Sequence, residues 1–166
     1  MKISDALSQA FDNQITLELQ AAVVYRQLAI EMNVRDLPGM ATWFAAQSAE
    51  ELEHADKFAG HVVDRGNHPR IGDISAPALS IESPLAAFRA ALAHEQKVSA
   101  AIRALFRQAR DEDDIDSVPL LHWFLDEQVE EEATVGEIVG RLELVKDDGP
   151  GLLRLDTELS IRTAAE

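Results

Sequence analysis

Apolar residues recur at steps of three and four along most of this chain, and the rhythm breaks at only a few places. From about Ser4 to Val34 the stripe runs Leu7, Phe11, Ile15, Ala22, Tyr25, Ala29 and Met32, which predicts a first amphipathic helix. Arg35-Asp36-Leu37 is a short link, and Pro38 suits the first turn of a second helix that runs to about Gly66. The second stripe is Met40, Phe44, Gln47, Glu51, His54, Phe58 and Val62. So short a link makes the two helices antiparallel neighbours.

Asn67 to Glu82 has no period and carries Pro69, Gly72 and Pro77, so it reads as an extended connection. Its length allows a reach of ~50 Å at roughly 3.3 Å per residue. A helix of about twenty-eight residues is ~42 Å long. The connection can therefore return the chain along the whole bundle, which makes the second and third helices parallel. Ser83-Pro84 supplies an N-cap and a first-turn proline for a third helix reaching about Arg110. Its stripe is Leu85, Phe88, Leu92, Glu95, Val98, Ile102, Leu105 and Ala109. The acidic run Asp111 to Asp116 breaks the pattern and reads as a solvated interhelical loop. A fourth helix starts near Ser117, with Pro119 in its first turn, and ends near Asp148-Gly149. Leu121, Phe124, Gln128, Glu131, Val135, Ile138, Leu142 and Val145 form its stripe. Gly149-Pro150-Gly151 reads as a sharp turn, and Leu152 to Arg162 as a short fifth helix through Leu152, Leu155 and Leu159. The expected fold is all-α in one domain over residues 1–166. It is a four-helix bundle over about 4–148, with a long crossover between helices two and three and a short C-terminal helix over about 151–162.

The stripes are interrupted by polar residues, and the interruptions fall near the middle of every helix. They are Glu18, then Glu51 and His54, then Glu95, then Gln128 and Glu131. Mid-helix positions share one depth in a bundle whichever way each helix points. Several unpaired buried carboxylates would each cost several kcal/mol or take up protons instead. No lysine or arginine occupies a stripe position at this level, so metal cations are the natural counter-charge. Glu51-x-x-His54 puts a carboxylate and an imidazole on one helical face, one turn apart. Four carboxylates and one histidine suit a pair of oxygen-seeking metals such as iron or manganese, bridged by one carboxylate.

Composition narrows the chemistry. The 166 residues include no cysteine, which excludes disulfides, thiolate zinc and iron–sulfur clusters and leaves oxygen and imidazole ligands. A formal net charge of -15 makes nucleic acid an unsuitable partner and cations a suitable one. No run of eighteen apolar residues and no apolar signal core at the start are visible, so neither a membrane span nor export is expected, and a cytoplasmic location is.

At these residues the chain resembles the ferritin-like diiron family. The shared pattern is Glu-x-x-His on the second helix, single Glu residues on the first and third, and the long crossover. Trp123-x-x-x-Glu127-Gln128-x-x-Glu131 on the fourth helix resembles the non-haem bacterial ferritins. Bacterioferritins would carry a second Glu-x-x-His there and a haem-ligand methionine where this chain has Leu52, so no haem is expected. The resemblance spans essentially the whole chain. It implies a ferroxidase that stores iron: Fe(II) is oxidised by O2 or H2O2 at an intra-subunit diiron centre. Fe(III) mineral then collects in a hollow homo-oligomer of twenty-four subunits, with helix five at an assembly contact. By the same resemblance Glu18, Glu51 and His54 would hold one iron, with Glu51 bridging. Glu95 would hold the second iron, with Gln128 beside it. Glu50, Glu127, Glu130 and Glu131 would form a third iron site. Tyr25 and Trp123 match aromatic positions near the centre; core packing is the competing reading for both. In animal ferritins carboxylates line a threefold channel where this chain has Val118 and Leu121, which leaves the ion access route undefined. His61, His68, His94 and His122 fit no ligand spacing and are expected at the surface. A rubrerythrin-like oxidase or peroxidase shares the bundle, but its usual four-cysteine site cannot form here. DNA-protecting mini-ferritins place iron between subunits, whereas this one chain supplies a full ligand set. A helical module without metal chemistry is the remaining alternative.

Overall fold

The computed structural model describes residues 2–75 and 77–161. Five α-helices follow in order: α1 Asp5–Val34, α2 Pro38–Asp64, α3 Pro84–Asp111, α4 Val118–Val145 and α5 Gly149–Leu159, with a 3₁₀ turn at Ile115–Ser117 before α4. The starts are set by local chemistry. Ser4 Oγ accepts from Leu7 N at the head of α1, and Ser83 Oγ accepts from Ala86 N at the head of α3. Proline occupies the first turn of α2, α3, α4 and α5, where its missing N–H costs nothing. After α2 the chain turns through Gly66 at φ +76, a conformation glycine adopts without steric penalty.

The crossover runs along α1 from end to end, and a ladder of hydrogen bonds records its path. Ile3 N donates to Asn67, Arg70 N to Asp12, Gly72 N to Thr16, Ser75 N to Gln20, and Arg35 to the Ile81 carbonyl. The chain thus returns to the end where α2 began, and α3 runs parallel to α2. Ser4, at the start of α1, donates to Glu112, just past the end of α3, so α1 and α3 are antiparallel. Ion pairs Arg89–Glu143 and Arg103–Glu132 set α4 antiparallel to α3.

Two sequence expectations shift at the C-terminal end. Gly149-Pro150-Gly151 is the first turn of α5, not a turn ahead of it; α4 stops at Val145. Lys146 takes φ +48 and breaks α4, and Pro150 then fits the start of a new helix. Arg162, the expected end of the fifth helix, lies outside the described residues; α5 ends at Leu159. α5 docks on the start of α2: Gly39 N and Met40 N both donate to the Asp156 carboxylate, at 3.1 and 2.7 Å. Asp156 therefore caps a helix more than a hundred residues away, whose own N-cap position, Leu37, has no side chain able to do so.

The core is split in two by a polar layer. One apolar cluster joins the second half of α1, the first halves of α2 and α3, the second half of α4, and α5 around Tyr25, Trp43, Phe44 and Phe88. The other joins the opposite ends around Phe11, Phe58, Ile102 and Phe124, with Phe58 and Phe124 stacked at 3.9 Å. Glu18, Glu51, His54, Glu95, Gln128 and Glu131 lie between the clusters, all buried.

Candidate metal centre

Each helix delivers its polar residue because the same helical period that buries its apolar neighbours also buries it. Glu18 and Glu95 have no measurable exposure. Glu18, Glu51 and His54 converge, with one potential ligand atom from each lying within 4.8 Å of the others. His54 Nδ1 lies 3.4 Å from Glu51 Oε2, as expected for a pair one turn apart. On the far side, Glu95 accepts from the Tyr25 hydroxyl, and its Oε2 accepts from Gln128 Nε2 at 3.2 Å. Glu131 lies in the same layer, where its Oε1 accepts from Gln47 Nε2 at 3.4 Å.

A second group faces outward. Glu50, His54 and Glu127 also bring potential ligand atoms within 4.8 Å of one another. His54 thus borders both groups, and Gln47 links them by donating to Glu50 Oε2 at 2.8 Å as well as to Glu131. Glu130 is exposed and takes no part in either three-residue group; of the four residues expected at a third site, Glu50 and Glu127 are the pair brought together.

The electrostatics of the layer match its chemistry. Burial pushes Glu18 up to about 7, despite the amide of Gln14, which donates to its Oε1 at 2.8 Å. Burial, then the charges of Glu95 and Glu18, push Glu51 well above the usual carboxylate range. Glu95 is raised by burial and held back by the Tyr25 and Gln128 donors. Burial, then Glu95, pushes the Tyr25 phenol up, so it stays a hydrogen-bond donor. Burial, then Lys57, pushes His54 down to about 4, which keeps the imidazole neutral and its lone pair available to a metal. Without a cation the carboxylates can share the cavity only by holding protons. Glu18 Oε2 is buried with no hydrogen-bond partner. Carboxylate and imidazole donors, no thiolate, and one orphaned buried oxygen fit a hard or borderline divalent cation.

Several sequence expectations are corrected. Trp123 is not core: it is 39 % exposed, with its ring 5.8 Å from that of His54 and the Lys57 ammonium 3.5 Å from its centre. Tyr25 is core, and its hydroxyl reaches the polar layer at Glu95. His61 is half-buried, with its ring against Phe11 and Nε2 2.8 Å from Ser117 Oγ. His94 is also half-buried, and its Nε2 is shielded without a hydrogen-bond partner. Both histidines lie on helix faces that the bundle or the crossover covers, which an apolar stripe does not reveal; His68 and His122 are exposed as expected. In the acidic run, Asp114 is no freely solvated carboxylate: the Arg65 guanidinium and Ser117 hold it below the usual range against the opposing effect of burial. Leu121 is fully buried and Val118 half-buried, so Leu121 cannot line a channel.

Sequence reasoning missed the supporting amides and hydroxyl. Gln14 stands one helical turn before Glu18, a spacing that could have revealed it. Ser99, which lies 3.2 Å from Gln128 Nε2, sits one turn after Glu95.

Comparison with known proteins agrees with this layout. Residues 8–145 match the ferritin-like domain family. The bacterial non-heme ferritin of Staphylococcus aureus strain MRSA252 is 34% identical over 164 residues, 99% of each chain. That of Staphylococcus epidermidis is 33% identical over the same span. An open-pore ferritin from the archaeon Archaeoglobus fulgidus superposes with a TM-score of 0.95 at 36% identity, covering 98% of this chain and all of that one. A form of that ferritin engineered to be closed gives 0.96 at 36% identity, over 99% of this chain. A four-helix bundle with a short fifth helix and a carboxylate–histidine layer across its middle defines the class, and this chain belongs to the ferritin-like family.

Proposed function

We propose that this protein stores iron, oxidising Fe(II) at the buried layer and depositing Fe(III) as mineral inside a hollow homo-oligomer. The observation that carries the reading is the convergence of Glu18, Glu51 and His54 on one buried point. In this reading the whole chain acts as one ferritin-like unit in the cytoplasm, and Fe(II) is the substrate. Glu18 and His54 hold one ion, Glu95 with Gln128 holds the second, and Glu51 bridges them. Glu50 and Glu127, beside His54, form a third position on the outward side, with the exposed Glu130 and the buried Glu131 of the resemblance flanking it. Two Fe(II) ions release two electrons, which with two protons reduce O2 to H2O2, or H2O2 to two waters.

The residues contribute charge and position. Glu51 and Glu18 give up their protons as cations arrive, so the layer passes from self-neutralised to metal-neutralised. His54 needs no deprotonation, being neutral already. Tyr25 and Gln128 fix the direction of the Glu95 carboxylate, as hydrogen-bonding partners of metal ligands do. Similarity to ferritins supports homo-oligomeric assembly, which in this reading is a cage of twenty-four subunits with α5 at a contact.

Aerobic Fe(II) oxidation and sedimentation mass of the purified protein test the proposal together. A cage-sized particle that oxidises Fe(II) rapidly is expected. Glu51→Ala should remove rapid oxidation and leave the particle intact. Oxidation at the parent rate in Glu51→Ala would overturn the site assignment, and a small particle would overturn storage.

A further inference from the structure

The outward group of Glu50, His54 and Glu127 lies beside a lysine that no metal-ligand pattern predicts. Lys57 follows His54 by one helical turn, so its side chain rises on the same face of α2. Its ammonium lies over the Trp123 ring, 3.5 Å from the centroid. The ring in turn packs edge-on against His54 at 5.8 Å. Trp123 stands one turn before Glu127 on α4, so lysine, indole, imidazole and carboxylate form a continuous cluster between α2 and α4. Stacking on an indole holds a lysine in place while leaving its charge uncancelled.

That charge is felt by the group. Burial, then Glu50 and Glu130, push Glu127 up, and Lys57 opposes them. After burial, Lys57 is also the cause that keeps His54 neutral. Among the described residues two three-residue groups have metal-ligating geometry, and Lys57 lies on the outward side of the His54 that both share, where Glu127 also feels its charge.

We propose that Lys57 is a specificity-determining residue of the outward group: parked on Trp123, its ammonium lowers the affinity of Glu50, His54 and Glu127 for a multivalent cation, so that ions dwell there briefly. This rests on the reading of that group as a cation position. Loose binding suits a waypoint between the buried pair and a mineral, where an ion must leave as readily as it arrives. With the indole between the ammonium and His54, repulsion in water between one charge and a multivalent ion roughly 8 Å away amounts to about a tenfold change in affinity.

Tb(III), excited through tryptophan and titrated into the assembled protein, tests the proposal. The part of the isotherm lost in Glu127→Gln reports the outward group. Lys57→Met keeps the apolar stem and removes the charge; it should tighten that part about tenfold at low salt, with the gain shrinking in high salt. Lys57→Arg should bind as the parent does. Lys57→Gln repeats the charge removal should Met disturb the indole. Parent-like or weaker binding in both neutral variants overturns the proposal, as does the lack of any Glu127-dependent signal. Aerobic Fe(II) oxidation by the parent is read separately: its failure would sink the ferroxidase reading and leave the Tb(III) comparison standing.

Discussion

The Tyr25 hydroxyl donates to the Glu95 carboxylate from a helix seventy positions earlier, and neither residue has any exposed surface. The bond joins the polar layer to the aromatic cluster of Trp43, Phe44 and Phe88 that packs around the phenol ring. Tyr25→Phe keeps the ring and removes one of the two side-chain donors that restrain Glu95. The metal-free protein should lose about 1–2 kcal/mol, read by chemical denaturation. Glu95 should then hold its proton more tightly, so Fe(II) oxidation should slow, and slow most at the acidic end of the working range.

Metal binding should release protons, and the carboxylates rather than the histidine should supply them. Burial favours the protonated forms of Glu18 and Glu51, so a cation must displace protons there, whereas His54 is already neutral near pH 6. Calorimetry of Zn(II) binding in buffers of different ionisation enthalpy should show at least about one proton released per ion. Glu18→Gln should reduce that number, while a metal-binding event with no proton release would contradict the picture of a self-neutralised layer.

The same burial makes the metal-free bundle sensitive to pH. Glu18 rises from 4.5 unfolded to about 7 folded, so its stabilising contribution is complete below 4.5 and is lost as pH climbs through about 7. His54 works the other way, contributing fully above 6.5 and losing that contribution as pH falls through about 4. Glu18→Gln removes the first effect, relieves Glu51 of a neighbouring charge, and leaves the His54 effect in place. Its stability relative to the parent should therefore improve between about pH 5 and pH 8, by at most on the order of 3 kcal/mol. Urea denaturation of the chelated protein at both pH values checks this.

Asp156 should anchor α5. Asp156→Ala leaves Gly39 N and Met40 N without their acceptor and should cost about 1–2 kcal/mol. Gly39→Ala should do comparable harm by another route, because a Cβ at Gly39 would stand 1.8 Å from the Asp156 carbonyl oxygen. Hydrogen exchange should show α5 opening in both variants while α1 to α4 stay protected. Equal protection of α5 in variant and parent would rule out the anchor.

How far the sequence reaches depends on the range of each interaction. Helix period and first-turn prolines are local, so the four long helices and their core stripes could be read directly, and every stripe residue of α1 and α2 is indeed buried. Glu18, Glu51, His54, Glu95, Gln128 and Glu131 were legible because burial follows the same period as their apolar neighbours. The layer's depth followed from helix lengths, and the crossover from a stretch too irregular for a helix and long enough to span one.

Contacts between distant segments decided the rest. No local rule places Asp156 at the head of α2, since the partners meet only when α5 folds back. None places Trp123 outside the core under a lysine, because which flank of α4 is covered depends on where α2 packs. Burial of His61 and His94 likewise comes from neighbours rather than from their own helices. By itself the sequence determined the helices, the bundle and the buried polar set, through periodicity. Tertiary structure alone decided that His54 borders both the inner and the outward group, which donors orient the carboxylates, and which positive charge stands beside the outer one. These depend on distances between side chains from different helices, and such distances exist only once the helices are packed.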